Sequence, residues 1–281
     1  MSAVPSGDRI DAGRGQPGRW GRRDWPSRFA RRDGVVIASF ADGAAIARHR
    51  AAPAAAVACA RPSAHDDSTM TPSHLDPQWV FAWQAAHCIA RGAPPPVRDR
   101  GGVRVDTGSD KETRRWVFPQ LCDGLREVAR EIAAPRHYLK LCGSDEELRS
   151  ALPARWALQP ANYFMTAAVG APALPAPDGY RIELYRAGAV ARACVIAADG
   201  ELAASGCAAE TADVFVYDRI ETAPPHRRKG LGAAVMGALG AARKSRANPQ
   251  LLVASEDGRA LYARLGWTVL APFAAAAIAE Q

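Results

Sequence analysis

The segment from Ala212 to Arg243, ADVFVYDRIETAPPHRRKGLGAAVMGALGAAR, constrains the fold more than any other part of the chain. A β-branched and aromatic run gives way to two prolines, three cations and two glycines one residue apart, and then to an alanine-rich stretch. This reads as a strand, a loop and a helix in succession, the helix predicted over about residues 228–246. A strand ending at Thr222 and glycines at 230 and 232 opening a helix expose unpaired backbone N–H groups at the helix N-terminus, which is an anion site. The glycines let an anion approach the main chain, and Arg227, Arg228 and Lys229 add full charges to the positive end of the helix dipole. Leu231, Val235, Leu239 and Ala242 follow a core-facing spacing, so the helix is anchored on a sheet and only its first turn is free.

Other polyanion motifs fit this stretch less well. A P-loop needs GxxxxGK[ST], whereas here Lys229 precedes the glycines. A dinucleotide fingerprint needs GxGxxG tight against its strand, but GLGAAV lacks the third glycine and follows a double-proline cationic loop. An ordinary basic loop that caps a helix matches the segment taken alone. The net charge of +7 invites a nucleic-acid reading, yet residues 1–69, with 11 Arg and 7 Asp, hold +4 of it. The remaining chain is too close to neutral for an electrostatic nucleic-acid footprint, and none is expected.

Residues 1–69 are rich in Gly, Ala, Pro and Arg with no sustained period, so a disordered basic tail is expected there. Met70 stands where ordinary globular patterning begins, and an over-extended start of the reading frame is one expectation for the residues before it. Residues 70–165 read as an α/β region of unassigned role: a helix in WVFAWQAAHCIA, strands in GGVRVDTG, RRWVFP and HYLKLC, helices in LREVAREIAAP and DEELRSAL, and an extended RWALQPANYFM. His87 and Cys88 are adjacent, but neighbours on a helix point about 100° apart, which favours a structural histidine over a dyad. Residues 166–179, TAAVGAPALPAPDG, form a connector. The domain expected over 180–281 opens with YRIELYR and a hairpin turned at Asp199-Gly200, then alternates strand and helix through LLVAS, a helix over about 257–265, and WTVLAPF. The fold class is therefore mixed α/β (α+β), a mixed sheet flanked by helices.

No apolar run approaches the roughly 18 residues needed to span a bilayer, so a cytoplasmic location without membrane contact is expected. The six cysteines, Cys59, Cys88, Cys122, Cys142, Cys194 and Cys207, show neither a CxxC pair nor a metal-ligand spacing. Buried hydrophobes in a reducing compartment, with no metal, are the reading.

The order Arg227-x-x-Gly230-x-Gly232, then LLVAS, then SEDGRALYARLGW resembles the GNAT acetyltransferase superfamily over about residues 180–275. The resemblance implies acetyl-CoA as co-substrate, its pyrophosphate held at Arg227, Arg228, Lys229, Gly230, Leu231 and Gly232, and its pantetheine against the backbone of about Ile220 to Ala223. It implies that a main-chain N–H near Thr222 polarises the thioester carbonyl and stabilises the oxyanion. Direct attack by the acceptor amine follows, with no covalent enzyme intermediate, and Tyr262 would protonate the departing thiolate. A carboxylate on the strand before the loop serves as base in some members, which makes Asp218 and Glu221 candidates, on opposite faces if that strand is regular. Ser255 stands where many members place an asparagine that contacts the cofactor. The first strand also runs almost directly into the meander, leaving no room for the family's usual helices, so residues 70–165 are expected to wall the acceptor site. N-acetyl transfer to a small-molecule or peptide amine is the leading reading. A catalytically silent acyl-CoA sensor is the alternative, and a homodimer is the assembly left open.

Overall fold

The computed structural model describes residues 30–32, 35–39, 75–168 and 174–279. Two short strands, β1 (Ala30–Arg32) and β2 (Val35–Ser39), precede α1 (Pro77–Arg91). Their place in the sheet departs from the expectation of a wholly disordered tail: β2 pairs in parallel with the edge strand β9 (Tyr180–Ala187), whose unpaired main-chain groups template such an addition. The rest of the predicted tail, Cys59 included, lies outside the described residues.

α1 starts at Pro77, with the Asp76 carboxylate accepting from Gln78 N at 2.8 Å, and stops at Gly92 in the left-handed conformation. Strands β3 (Val97–Asp99), β4 (Gly102–Asp106) and β5 (Arg114–Phe118) follow, then α2 (Asp123–Glu131), β6 (His137–Cys142), α3 (Asp145–Ala151), β7 (Trp156–Leu158) and β8 (Asn162–Ala167). α3 opens with a reciprocal capping box between Ser144 and Glu147. The extended piece RWALQPANYFM is two strands rather than one, because Pro160 cannot donate to a ladder. After β9 come β10 (Val190–Ala197), β11 (Leu202–Glu210) and β12 (Phe215–Thr222), a 3₁₀ turn (Pro224–His226), α4 (Leu231–Ala241), β13 (Gln250–Ser255), α5 (Glu256–Arg264) and β14 (Thr268–Ile278).

α4 is shorter than the predicted 228–246. Arg228 (φ 64°) and Gly230 (φ 77°) take left-handed backbone that a helix cannot continue through. At its far end the main-chain N–H groups of Lys244 and Ser245 turn aside to bind the buried Glu210 carboxylate at 2.7–2.9 Å.

Among the described residues all strands join one mixed 14-stranded sheet in the order β1-β2-β9-β10-β11-β12-β13-β8-β14-β6-β5-β4-β3, with β7 added against β14. β8 comes from the region before the connector, yet it lies between β13 and β14, antiparallel to both. The connector therefore joins two parts of one sheet rather than two separate sheets, and β8 runs through its first two residues, to Ala167. β9 turns into β10 at Gly188 with no intervening helix, as the sequence predicted.

The helices divide between the faces. α4 packs on β9–β12 and α5 on β13 and β8, over a core that includes Met165, Val195, Leu239 and Tyr262. α2 and α3 cover β6 and β14 on that same face, around Leu125, Leu148 and Trp156. The opposite face is covered by α1, whose Trp83 stands edge-on to Phe164 and Phe273. Truncating a buried tryptophan of this kind costs about 3–5 kcal/mol, so α1 is a firm wall over the middle of the sheet.

Candidate active site

β12 and β13 run parallel but pair only at Phe215↔Gln250 and Val216↔Leu251. Tyr217 then donates its hydroxyl to Gln250 Oε1 at 2.7 Å between two buried side chains, and beyond this clamp the strands part. β12 keeps its other neighbour, pairing with β11 as far as Thr222↔Ala204. The Ala223 N–H donates to Ala203 O at 2.9 Å, so alternation along the strand turns the N–H and C=O of Thr222 to the open edge. There the Thr222 carbonyl accepts from Arg227 Nε at 3.4 Å.

A bulge changes which side chains share a face. Arg219 (φ 53°) and Ile220 together oppose Gly206, and a Cβ on Gly206 would sit 2.5 Å from Ile220 Cδ1 and 2.7 Å from Val235 Cγ1. The register on either side is Asp218↔Cys207 and Glu221↔Ser205. Cys207 and Ser205 point to one face, so Asp218 and Glu221 do too, and the opposite-face expectation for a regular strand does not apply. Glu221 is exposed, whereas the Asp218 side chain is 9% exposed beneath α1.

Asp218 accepts two hydrogen bonds from Arg91, both at 2.8 Å, and its Oδ1 lies 3.7 Å from His87 Nε2. Burial pushes the Asp218 carboxyl up, but the Arg91 hydrogen bond and the charges of its neighbours outweigh this and hold it below the usual range. With both oxygens engaged and its proton affinity lowered, Asp218 is a poorer base than the sequence suggested. His87 stacks on Trp83 with ring centroids 4.9 Å apart, and its Nδ1 meets Gln84 Nε2 at 3.4 Å. Burial first, and then the Arg91 charge, hold its pKa well below 6.5 despite Asp218, so the imidazole is neutral at pH 7.

These groups line a cavity of about 220 Å³ on the α1 face, where β12 and β13 separate. Lys140 of β6 and Asn162 of β8 complete its polar wall. Burial, and then repulsion from Arg115, bring the Lys140 pKa down to about 8. Arg115 has its own partner in Glu112, and Arg91 has Asp218. Among the described residues Lys140 has neither an ion pair nor a hydrogen bond, only a cation–π approach of 5.9 Å to the Tyr138 ring.

On the other face lies the loop into α4. Gly230 is the N-cap, and among the described residues no carbonyl accepts from the main-chain N–H groups of Gly230 to Ala233. A Cβ on Gly230 would meet nothing within 4 Å, and one on Gly232 would come within 3.1 Å of Leu261 Cδ2. Of the three cations, Lys229 donates to Tyr180 Oη at 3.1 Å and Arg227 to Thr222, while the Arg228 guanidinium has no partner among the described residues. Tyr180 in turn meets His226 Nδ1 at 2.9 Å, which ties the loop to β9.

Tyr262 is 8% exposed in the aromatic row Phe215, Tyr217, Trp267, Tyr262, and its hydroxyl makes no hydrogen bond among the described residues. Burial, reinforced by the Asp218 charge, pushes the phenol up to about 12, so it keeps its proton at neutral pH. Ser255, expected to touch a cofactor, caps α5 by accepting from Gly258 N at 3.3 Å.

Arg91, Lys140 and Asn162 line the cavity without having been singled out in the sequence, and His87, read there as a structural histidine, is buried and stacked on Trp83 in its wall. Signals were present: His87 and Arg91 stand four apart on one helix face, and Lys140 is the charged residue among the apolar positions of HYLKLC. Among the described residues no group of three or more His, Cys, Asp or Glu could hold a metal ion, and no helix is long and apolar enough to cross a membrane.

Solved structures share this architecture. A GCN5-related N-acetyltransferase from Kribbella flavida is similar at a TM-score of 0.51 with 14% identity, over 72% of this chain and 96% of that one. A protein assigned to the GNAT family from Novosphingobium aromaticivorans DSM 12444 is similar at 0.50, also with 14% identity, over 73% and 99%. The fold is that of the GNAT N-acetyltransferases. Residues 190–269 match the family model described as acetyltransferase (GNAT) domain. The structural likeness covers more of the chain than those residues. No curated protein matches the chain.

Proposed function

We propose that the protein transfers an acetyl group from acetyl-CoA to an amine at the gap between β12 and β13. The observation that carries this reading is the parting of the two strands after Val216↔Leu251, beside a helix N-terminus with free main-chain N–H groups. The residues present fit the co-substrate: Gly230 to Ala233 offer donors to a pyrophosphate, Arg228 is a cation without a partner among the described residues, and the Thr222 edge offers main-chain groups to an extended pantetheine. When bound, acetyl-CoA supplies a thioester whose acyl carbon a neutral amine attacks, the C–N bond forming as the C–S bond breaks. The Thr222 N–H polarises the carbonyl, Tyr262 gives its proton to the departing sulfur, and the proton shed by the attacking nitrogen leaves through solvent, which returns one to the phenol. α1, β6 and β8 wall the acceptor side, where Asp218 acts through Arg91 and His87 to shape the cavity. A cavity of 220 Å³ is below the roughly 300–1,000 Å³ of drug-sized sites, which favours a small acceptor or the end of a chain.

The test is direct. Acetyl-CoA should raise the melting temperature of the full chain, since a ligand that binds only the native state stabilises it, and an amine panel should release free CoA. No thermal shift at saturating acetyl-CoA would remove this reading, whereas a shift without turnover of any amine would favour the silent sensor.

A further inference from the structure

Lys140 stands out in the cavity as the charge with no counter-ion among the described residues. Of the groups facing it, His87 is neutral, while Asp218 and Arg91 neutralise each other through two hydrogen bonds. Arg115 is matched by Glu112 behind the wall. Asn162 lies beside Lys140 across β14, and its Nδ2 holds Pro160 O at 2.8 Å, which fixes the amide at the cavity edge. The cavity therefore carries a net positive charge next to an amide, enclosed by Trp83, Val253 and Phe273.

A bare alkylammonium is poorly suited to such a site, because it would add a second unpaired cation to a partly desolvated space. We infer that the acceptor is an amine that also bears a carboxylate, an amino-acid-like molecule or chain end whose acid group is held by Lys140 and Asn162. This rests on the transferase reading for the amine, but the anion subsite stands on the cavity and its unmatched cation. The same positive field assists the chemistry, since it lowers the pKa of the bound ammonium and supplies the neutral amine that attack requires. It thereby reduces what is asked of a general base at a place where Asp218 is already committed to Arg91. Lys140 is in this reading a specificity-determining residue rather than a proton acceptor.

The experiment uses the full chain and the N-acetyl derivatives of glycine, alanine and glutamate, each paired with its primary amide, as product-like probes in thermal-shift titrations with CoA present. The acids should raise the melting temperature and the amides should not. Lys140→Met should weaken the acid at least about tenfold, as expected for loss of a charge-assisted contact, and Lys140→Arg should retain part of it. Lys140→Gln provides a second neutral variant should the methionine fail to fold. Equal shifts from acid and amide, no shift from any acid, or an undiminished acid shift in the neutral variants would overturn the inference. Acid shifts that depend on Lys140 without any shift from acetyl-CoA would leave the anion subsite standing and remove the transfer reading instead.

Discussion

Replacing Lys140 by methionine should make the protein more stable, and the size and pH dependence of the gain follow from the structure. Methionine keeps a flexible apolar stem between β14 and β5 and discards a charge that has no counter-ion among the described residues. The interval from 10.5 down to about 8, at roughly 1.36 kcal/mol per pH unit, is a penalty of about 3 kcal/mol for holding the folded lysine protonated. Lys140 keeps some contact with solvent through the cavity, and the variant loses the distant Tyr138 contact, which together trim the expected gain to about 2 kcal/mol at pH 7. Because the folded pKa is depressed, the native state binds fewer protons than the unfolded chain between pH 8 and 10.5, so wild-type stability rises with pH across that window. The penalty is fully present below pH 8 and absent above 10.5. Urea unfolding of both proteins at pH 7 and at pH 10.5 would show the difference shrinking towards zero. A variant less stable than wild type at pH 7, or a difference that does not change with pH, would refute the reasoning and reveal a partner for Lys140.

Three further outcomes test other parts of the site. Gly230→Val places a β-branched residue at φ 77°, a conformation it resists, so the loop that presents the free N–H groups should shift and the acetyl-CoA thermal shift should vanish, with about 1–3 kcal/mol of strain visible in unfolding without ligand. Tyr262→Phe should keep that thermal shift and lower kcat at least about tenfold with KM little changed. Because the phenol is pushed up to about 12, no basic limb from Tyr262 should appear in the wild-type rate profile below about pH 10. Gly206→Ala brings a methyl within 2.5 Å of Ile220 and 2.7 Å of Val235, and overpacking there should cost about 1–3 kcal/mol by denaturant unfolding.

What the sequence by itself determined was local. The run from Ala212 to Arg243 specified a strand, a glycine-bearing loop and a helix N-terminus with free donors, because propensity and periodicity act over a few residues. The motif order around Tyr262 identified the superfamily for the same reason, and the direct passage from β9 to β10 was read from the lack of intervening residues. Even within this reach the helix limits erred, since nothing local announced that Arg228 would take positive φ or that Lys244 and Ser245 would turn to cap Glu210. The cavity on the α1 face was decided by tertiary structure. Arg91 meets Asp218 across 127 positions of chain, and Lys140 and Asn162 reach the same cavity only because β8 inserts between β13 and β14. The faces of Asp218 and Glu221 were set by a bulge opposite Gly206, a register slip that period-two reasoning cannot anticipate. Strand pairing joins residues by register across the sheet, and burial then fixes which charges find partners. Neither quantity exists until distant segments pack, which is why the anion cradle could be read in the sequence and the lysine-lined pocket could not.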